Sequence, residues 1–518
     1  MALVEYLDRG ALRNPDLDCL VSADGQSMSF REVQQLTYRI GNKLLSQGLG
    51  RGDVGSVLAF NDSLAFACTF GLARAGLAWL PAYPRSSEDD SQYLFDFMDC
   101  RVLIFQSSFA ELVAALRPQL PGVKQWVCLD KTIGDIPSLD AWLEGVEDTN
   151  PDVPTSADDL AVLFPTGGTT GRSKGVQMTH RVVGSMVATY MSSFYYDPVE
   201  RPVNMAAAPL THAAGLIACA ALARGDKVII LPSPDIELML DSIETHKVTE
   251  FFLPPTVIYR MLEHPGVEQR DTSSLRYFLV AAAPMSVEKL KRAIEVFGPV
   301  MTQCYGQGEC PMLISFFPPT EHVLDGSLAP DERLSSCGFP TPLVEVRILD
   351  ENGQEVARGE KGEICVRSDM VMTGYYKQPE KTAETIIDGW LHTGDIGVQD
   401  ATGWLHIVDR KKDMIITGGL NVYPQEIEQV IWGHESVQDC AVIGIPDDDW
   451  GEAVHAVVEL APGGEVTSDE IRTLCKKALG SVKTPKSVDF RALPRSPNGK
   501  VLKRDLRDEY WTGRDKKI

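Results

Sequence analysis

Thr166-Gly167-Gly168-Thr169-Thr170-Gly171-Arg172-Ser173-Lys174-Gly175 is the stretch that decides how this chain is read. Its glycines let the backbone turn where a Cβ would clash, so several N–H groups can converge on one anion. Thr169 and Thr170 add hydroxyl donors, and Arg172 and Lys174 add positive charge. The apolar run Leu160 to Phe164 ahead of it predicts a buried strand. A strand running into a glycine-rich cationic loop suits a polyphosphate. It is not a Walker A loop, because Gly171 is followed by Arg172 and not by Lys-Ser/Thr. On its own the stretch reads equally as a surface turn.

Working outward, Val33, Leu36, Ile40 and Leu44 recur at helical spacing, and Ser29 with Glu32 forms a capping-box pattern ahead of them. Val54–Phe60, Ala78–Leu80, Val102–Phe105 and Val123–Leu129 alternate with helical segments. Val228–Leu231, Phe251–Leu253 and Tyr277–Ala281 resume the pattern. This predicts an α/β fold: a large N-terminal domain of layered, mostly parallel sheets. Turn-punctuated Val344–Leu349 and Glu363–Val366 predict a small antiparallel β region. After Asp409-Arg410-Lys411-Lys412-Asp413 come a helix near Glu426–Ile431, strands Asp439–Ile445 and Ala453–Glu459, and a helix Ser468–Leu479. That is a small α+β domain of about a hundred residues. The expected division is 1–409, a hinge at 410–413, and a mobile C-terminal domain 414–518.

A chain of 518 residues exceeds one simple core, and 44% hydrophobic with 23% charged residues is ordinary for a soluble globular protein. The net charge of −23 argues against a nucleic-acid partner. Acidity is concentrated before Lys411; beyond it the charges nearly balance. Eleven cysteines without a Cys-x-x-Cys pair read as reduced thiols of a cytoplasmic protein. The N-terminus carries early acidic residues and does not read as a signal peptide. Met205 to Ala223 is too interrupted for a transmembrane segment and reads as buried elements.

Several separated motifs, in order, resemble the adenylate-forming superfamily, which contains acyl- and aryl-CoA synthetases, firefly luciferase and peptide-synthetase adenylation domains. They are Ser29-Phe30-Arg31-Glu32 with Gly52-Asp53, the Thr166–Gly175 loop, Tyr305-Gly306-Gln307-Gly308-Glu309, Tyr375-Tyr376-Lys377, Trp390-Leu391-His392-Thr393-Gly394-Asp395, Asp409–Asp413, Gly418-Gly419-Leu420-Asn421-Val422-Tyr423-Pro424 and Pro497-Asn498-Gly499-Lys500. The resemblance spans essentially the whole chain and is strongest to the acyl-CoA synthetases. It implies activation of a carboxylic acid by ATP as acyl-AMP, with release of pyrophosphate, then acyl transfer to CoA. The alternative acceptor is a carrier protein. Mg²⁺ is the implied metal, and homodimer formation stays open.

The resemblance also implies residue roles. Thr166, Gly167, Gly168, Thr169, Thr170, Gly171 and Lys174 would hold the phosphates. Glu309 would take the metal, since Mg²⁺ accepts carboxylate, phosphate and water oxygens; alone it reads equally as a helix-start carboxylate. Tyr305 offers a stacking face for adenine, with Ala282, Ala283, Gln303, Gly306, Gly308 and Ile407 around the nucleotide. Asp395 and Arg410 would contact the ribose, and Tyr375–Lys377 belongs with that region. Lys500 would place its cation at the attacking oxygen. Lys412 aligns with the hinge pivot, and Gly418 and Gly419 with the path of the pantetheine thiol. Tyr195, His212, Pro255, Thr256 and Ala282 are expected in the acyl pocket; His212 is also expected among the catalytic residues with Lys500 and Glu309, where it would gate the thiol's approach, and alone it reads as a satisfied core histidine.

Two positions depart from the pattern. Gly308 stands where a threonine hydroxyl is usual, and Gly167 where Ser or Thr is common. A lost hydrogen bond to a charged group is worth about 1.5–3 kcal/mol, so both predict slower adenylation while the metal ligand and the lysine remain.

Overall fold

The computed structural model describes residues 2–166, 172–197, 199–495 and 501–512. Gly167, Gly168, Thr169, Thr170, Gly171 and Lys500, singled out above, lie outside the described residues.

The Ser29 cap forms as expected. Its side chain accepts from Glu32 N–H while the Glu32 carboxylate takes the Ser29 N–H, starting the helix Phe30–Ser46. That helix buries Phe30, Val33, Ile40 and Leu44, the i, i+3, i+4 face its sequence spells out. It packs on the helix Ser63–Arg74, where Gly71 lies so close to Ile40 that a Cβ would sit 2.7 Å from it.

Two layered sheets organise the N-terminal part. One runs in the order Gln125–Cys128, Cys100–Phe105, Val54–Leu58, Ala78–Pro81, Leu160–Thr166, Lys174–Thr179. All its neighbours are parallel except the last pair, a hairpin in which Thr166 faces Lys174. The other sheet has Asp18–Ser22, Lys227–Ile230, Val203–Ala206, Glu250–Leu253, Tyr277–Val280 and Met301–Gln307 in parallel succession, followed by antiparallel Cys310–Phe317 and, at the edge, the short strand Phe339–Pro340. Burial on both faces explains their continuous Val/Ile/Leu/Phe runs. The Met205–Ala223 stretch splits into a strand end and the helix Ala213–Arg224, buried on all sides. Among the described residues no helix is long and apolar enough to cross a membrane.

The expected small β region is an antiparallel sheet of Glu345–Leu349, Gly362–Arg367, Trp390–Gln399, Ile386–Ile387 and Leu405–Arg410. After the turn Lys411–Asp413 a further sheet begins at Ile415–Thr417, with long strands Val437–Asp447 and Gly451–Leu460. It encloses its own core of Ile415, Ile427, Ile431, Val442, Val454, Val458 and Ile471. A separate core lets such a unit hold its shape independently of what it rests on.

Candidate functional site

The parallel strands of the larger sheet end together, and the crevice beyond their carboxyl ends is where open α/β sheets bind ligands. Glu250–Leu253 leads into Pro254 and the helix Pro255–Leu262, bringing Pro255 and Thr256 to that edge. Tyr277–Val280 leads into Ala281–Ala283, with Ala282 at φ +74°. That conformation costs a residue bearing a Cβ about 1–3 kcal/mol, and such strain collects at functional sites. Ala282 and Ala283 are exposed there, as a ligand-facing edge requires.

Met301–Gln307 contributes most. It carries Gln303 and Tyr305, then turns through Gly308-Glu309 into Cys310–Phe317, with Gln307 facing Cys310. Glu309 therefore sits on a hairpin turn and not at a helix start. The backbone of Met312 crosses Gly306 so closely that a Cβ would lie 2.7 Å from it, which requires glycine there.

Two clusters form on this strand-and-turn, one at Glu309 and one at Tyr305. On one side Tyr375 donates its hydroxyl to Glu309 Oε1 at 2.6 Å, and the Lys174 ammonium lies 4.4 Å from the centre of the Tyr375 ring. Desolvation, with Lys381 adding to it, lowers the Lys174 amine despite the pull of Glu309. The strand pairing that sets Thr166 against Lys174 delivers the glycine-rich loop's two flanks to this place. On the other side Tyr305 donates to Asp395 Oδ2 at 2.7 Å, and Arg410 Nε lies 3.4 Å from Asp395 Oδ1. Asp395 and Arg410 are direct cross-strand partners. Burial, then the Asp395 charge, holds the Tyr305 phenol well above its ordinary range, so it stays a donor.

Gly308 is filled in. A Cβ there would lie 2.4 Å from Thr166 Cγ2, so Thr166 occupies the space a side chain at 308 would take. Phe164, two residues earlier on that strand, meets His212 edge to face at 5.3 Å. His212 caps the helix Ala213–Arg224 by position only, without a side-chain cap bond, and is half-buried beside the glycine-rich loop's entry strand. Ile407 is half-buried against the core beneath Gly397, its strand partner.

Two expectations are corrected. Tyr195 does not join the acyl pocket: it is 73% exposed, and its backbone N–H and C=O both bond the Tyr277 hydroxyl. Tyr277 opens the strand whose far end carries Ala282, so Tyr195 belongs to the opposite end, roughly 13 Å away. Tyr375-Tyr376-Lys377 does not sit with the ribose pair Asp395–Arg410. Tyr375 turns to Glu309, while Tyr376 and Lys377 bond Asp99. Arg172 extends from the glycine-rich loop to Asp89 and the Tyr93 ring. Sequence reasoning missed Tyr375 as a partner of Glu309 and passed over Glu363 as a strand residue; an acidic residue within an otherwise apolar alternation was the available signal.

The donor chemistry fits a hard cation. Among the described residues no group of three or more His, Cys, Asp or Glu is placed to hold a metal, and the turn after Met301–Gln307 offers the one carboxylate of Glu309. That suits Mg²⁺, which fills its remaining positions with phosphate and water oxygens.

At the expected hinge, Lys411–Asp413 forms a short turn. Desolvation, with Arg410 and Arg507 nearby, lowers the Lys412 amine to about 8. Gly418 (φ +57°) and Gly419 (φ +76°) are exposed beyond it, and Gly418 donates to Trp450 C=O.

Residues 7–376 match the model of the AMP-binding enzymes, and residues 426–500 match that of the AMP-binding enzyme C-terminal domain. The chain is 35% identical over 488 residues to the medium/long-chain-fatty-acid–CoA ligase FadD8 of Mycobacterium tuberculosis, covering 90% of this chain and 83% of that protein. It is 34% identical over 495 residues to a feruloyl-CoA synthase of an Amycolatopsis species, covering 94% of each. The ATP-bound structure of MatB from Rhodopseudomonas palustris superimposes with a TM-score of 0.87 at 29% identity, covering 99% of both chains. The family-model matches over residues 7–376 and 426–500, with relatives 34–35% identical over 90–94% of the chain, place this protein in the AMP-binding enzyme family.

Proposed function

We propose that the site joins a compact, apolar carboxylic acid, aryl or medium-chain, to AMP and then to CoA. The activity is that of an ATP-dependent acid–thiol ligase: the carboxylate attacks the α-phosphorus, pyrophosphate leaves, and a thiol then displaces AMP from the acyl carbon. One observation carries the reading. Tyr305 and Glu309 lie on one strand and its turn, so that single element meets both the Asp395–Arg410 pair and the Tyr375–Lys174 pair.

In this reading Thr166, the Gly167–Gly171 backbone and Lys174 hold the phosphates. Asp395 and Arg410 take the ribose hydroxyls, and Tyr305, Ala282, Ala283, Gln303, Gly306, Gly308 and Ile407 surround the nucleotide. Mg²⁺ held by Glu309 would neutralise charge between that carboxylate and the phosphates. Thr166, filling the space over Gly308, supplies a hydroxyl close to where the departure from the family pattern removed one. His212, Pro255, Thr256 and Ala282 line the acyl end, with the apolar faces of Phe164 and Pro255 favouring an uncharged chain or ring. Lys500 stabilises the carboxylate as it attacks. The chain divides at 410–413, and rotation about Lys412 exchanges Lys500 for Gly418-Gly419, where the missing side chains let a pantetheine arm approach the backbone.

Product analysis tests this. ATP with a panel of acids should release pyrophosphate, and adding CoA should convert acyl-AMP to acyl-CoA. Acyl-AMP that persists despite CoA would move the reading to a carrier protein or other acceptor. Lys500→Ala should abolish pyrophosphate release and spare thioester formation from supplied acyl-AMP; equal loss of both would remove its role.

A further inference from the structure

Asp395 stands in a bulge. Glu363 pairs with Ile396 and Cys365 with His392, so Thr393, Gly394 and Asp395 are crowded against a shorter partner segment. Such bulges re-aim side chains, and this one turns Asp395 inward to Tyr305. Gly394 takes φ +71° to make the turn. Two sets of bonds hold it. Thr393 Oγ1 donates to Ile364 C=O at 2.7 Å and accepts from Asp395 N–H at 3.1 Å. Glu363 Oε1 accepts from Gly394 N–H at 3.1 Å, with His392 Nδ1 3.3 Å from Oε2.

Glu363 has a third partner outside the bulge. Lys411, in the hinge turn, donates to Oε2 at 3.1 Å. The carboxylate is only 12% exposed. Burial raises it, but His392 and Lys411 more than offset this and hold it below the usual carboxylate range. A charged group so placed keeps its partners at fixed geometry, because losing any of them leaves buried charge unpaired. Two residues earlier Lys361 pairs with Glu426 at 2.7 Å, and Glu426 also pairs with Lys483. One strand edge thus touches the chain on both sides of Lys412.

We propose that Glu363 is a positioning residue that couples the ribose turn Thr393–Asp395 to the hinge at Lys411, so that a nucleotide held at Asp395 stiffens the hinge. The inference rests on the reading of Asp395 as the acceptor of the ribose hydroxyls. Glu363 touches neither substrate nor metal; it acts through Gly394 on one side and Lys411 on the other.

The test is limited trypsin digestion of the full chain at the hinge bonds after residues 410–412, with and without AMP. AMP is set at the same multiple of each variant's own measured Kd. AMP should slow hinge cleavage at least fivefold in the wild-type chain and less than twofold in Glu363→Gln, which keeps an acceptor for Gly394 but loses the charge that holds Lys411. Lys411→Met, which cuts the other end of the pair, should reproduce the loss and stands in if the glutamine variant does not fold. Lys361→Met, which severs only the neighbouring ion pair, should keep the protection. Equal protection in wild type and Glu363→Gln overturns the coupling, as does loss of protection in Lys361→Met, which would mark general loosening. Wild-type chain that binds AMP without protection also overturns it. Wild-type chain that binds no AMP removes the ribose reading and the coupling with it.

Discussion

Tyr305 and Asp395, ninety positions apart, meet through a 2.7 Å hydrogen bond between two buried side chains. The bond ties the parallel sheet to the antiparallel one and leaves Asp395 Oδ1 facing Arg410. Tyr305→Phe removes the donor from a buried carboxylate, at a cost of about 1–3 kcal/mol. The KM for ATP should rise roughly tenfold in pyrophosphate-release kinetics, with the thermal midpoint moving little. An unchanged KM would detach this pair from nucleotide binding.

Glu309 is proposed to hold Mg²⁺. Glu309→Gln keeps an oxygen for Tyr375 but gives up the charge. Half-maximal activity should need about ten times more Mg²⁺, and kcat should fall roughly a hundredfold even at saturating metal. A chelator should silence the wild-type chain, with Mg²⁺ restoring it. A Mg²⁺ titration that superimposes on the wild type would exclude Glu309 as the ligand.

Restoring a threonine at Gly308 should harm and not help. Its Cβ would meet Thr166 Cγ2 at 2.4 Å, and overpacking of this kind costs about 1–3 kcal/mol. Gly308→Thr should slow pyrophosphate release several-fold, and Gly308→Thr with Thr166→Ser should recover most of it. A faster single variant would show that the absent hydroxyl outweighs the clash.

Gly418 has φ +57°, and an added Cβ would sit 2.5 Å from Trp450 Cε3. Gly418→Ala combines backbone strain of about 1–3 kcal/mol with that contact. Thioester formation from supplied acyl-AMP should drop at least fivefold, while acid-dependent pyrophosphate release stays within twofold. Parallel loss of both half-reactions would contradict a role confined to the thiol's approach.

Acid should weaken the fold through His180. The ring is buried, its Nδ1 accepts from Leu3 N–H at 3.0 Å, and desolvation lowers it from 6.5 to about 4. Between those values the unfolded chain binds a proton that the folded chain refuses. Stability is therefore full above pH 6.5 and is lost as pH falls through about 4, by roughly 3 kcal/mol. His180→Asn, which keeps an acceptor but does not titrate, should flatten this part of the stability-versus-pH curve. Identical curves in urea unfolding would place the acid sensitivity elsewhere.

The hydrophobic pattern foretold the α/β layers because strands buried on both faces must be apolar throughout. The Ser29–Glu32 cap and the Phe30–Ser46 helix were equally legible, since capping and i, i+4 spacing are local. Tyr195 was misplaced for a different reason: position along the chain does not say at which end of a parallel strand a loop returns. Tyr375 was assigned to the ribose for the same reason, and its hydroxyl turned out to face Glu309.

Motif order and residue chemistry alone carried the family and the ATP and Mg²⁺ dependence, because each depends on which functional groups are present. Partnership was decided only in three dimensions. That Thr166 fills the space over Gly308, and that Glu363 holds the turn Thr393–Asp395 and Lys411 at once, follow from sheet register and the bulge at Thr393–Asp395. Register is a property of strand pairs far apart in sequence, and a shift of one residue would turn each of these side chains to the opposite face.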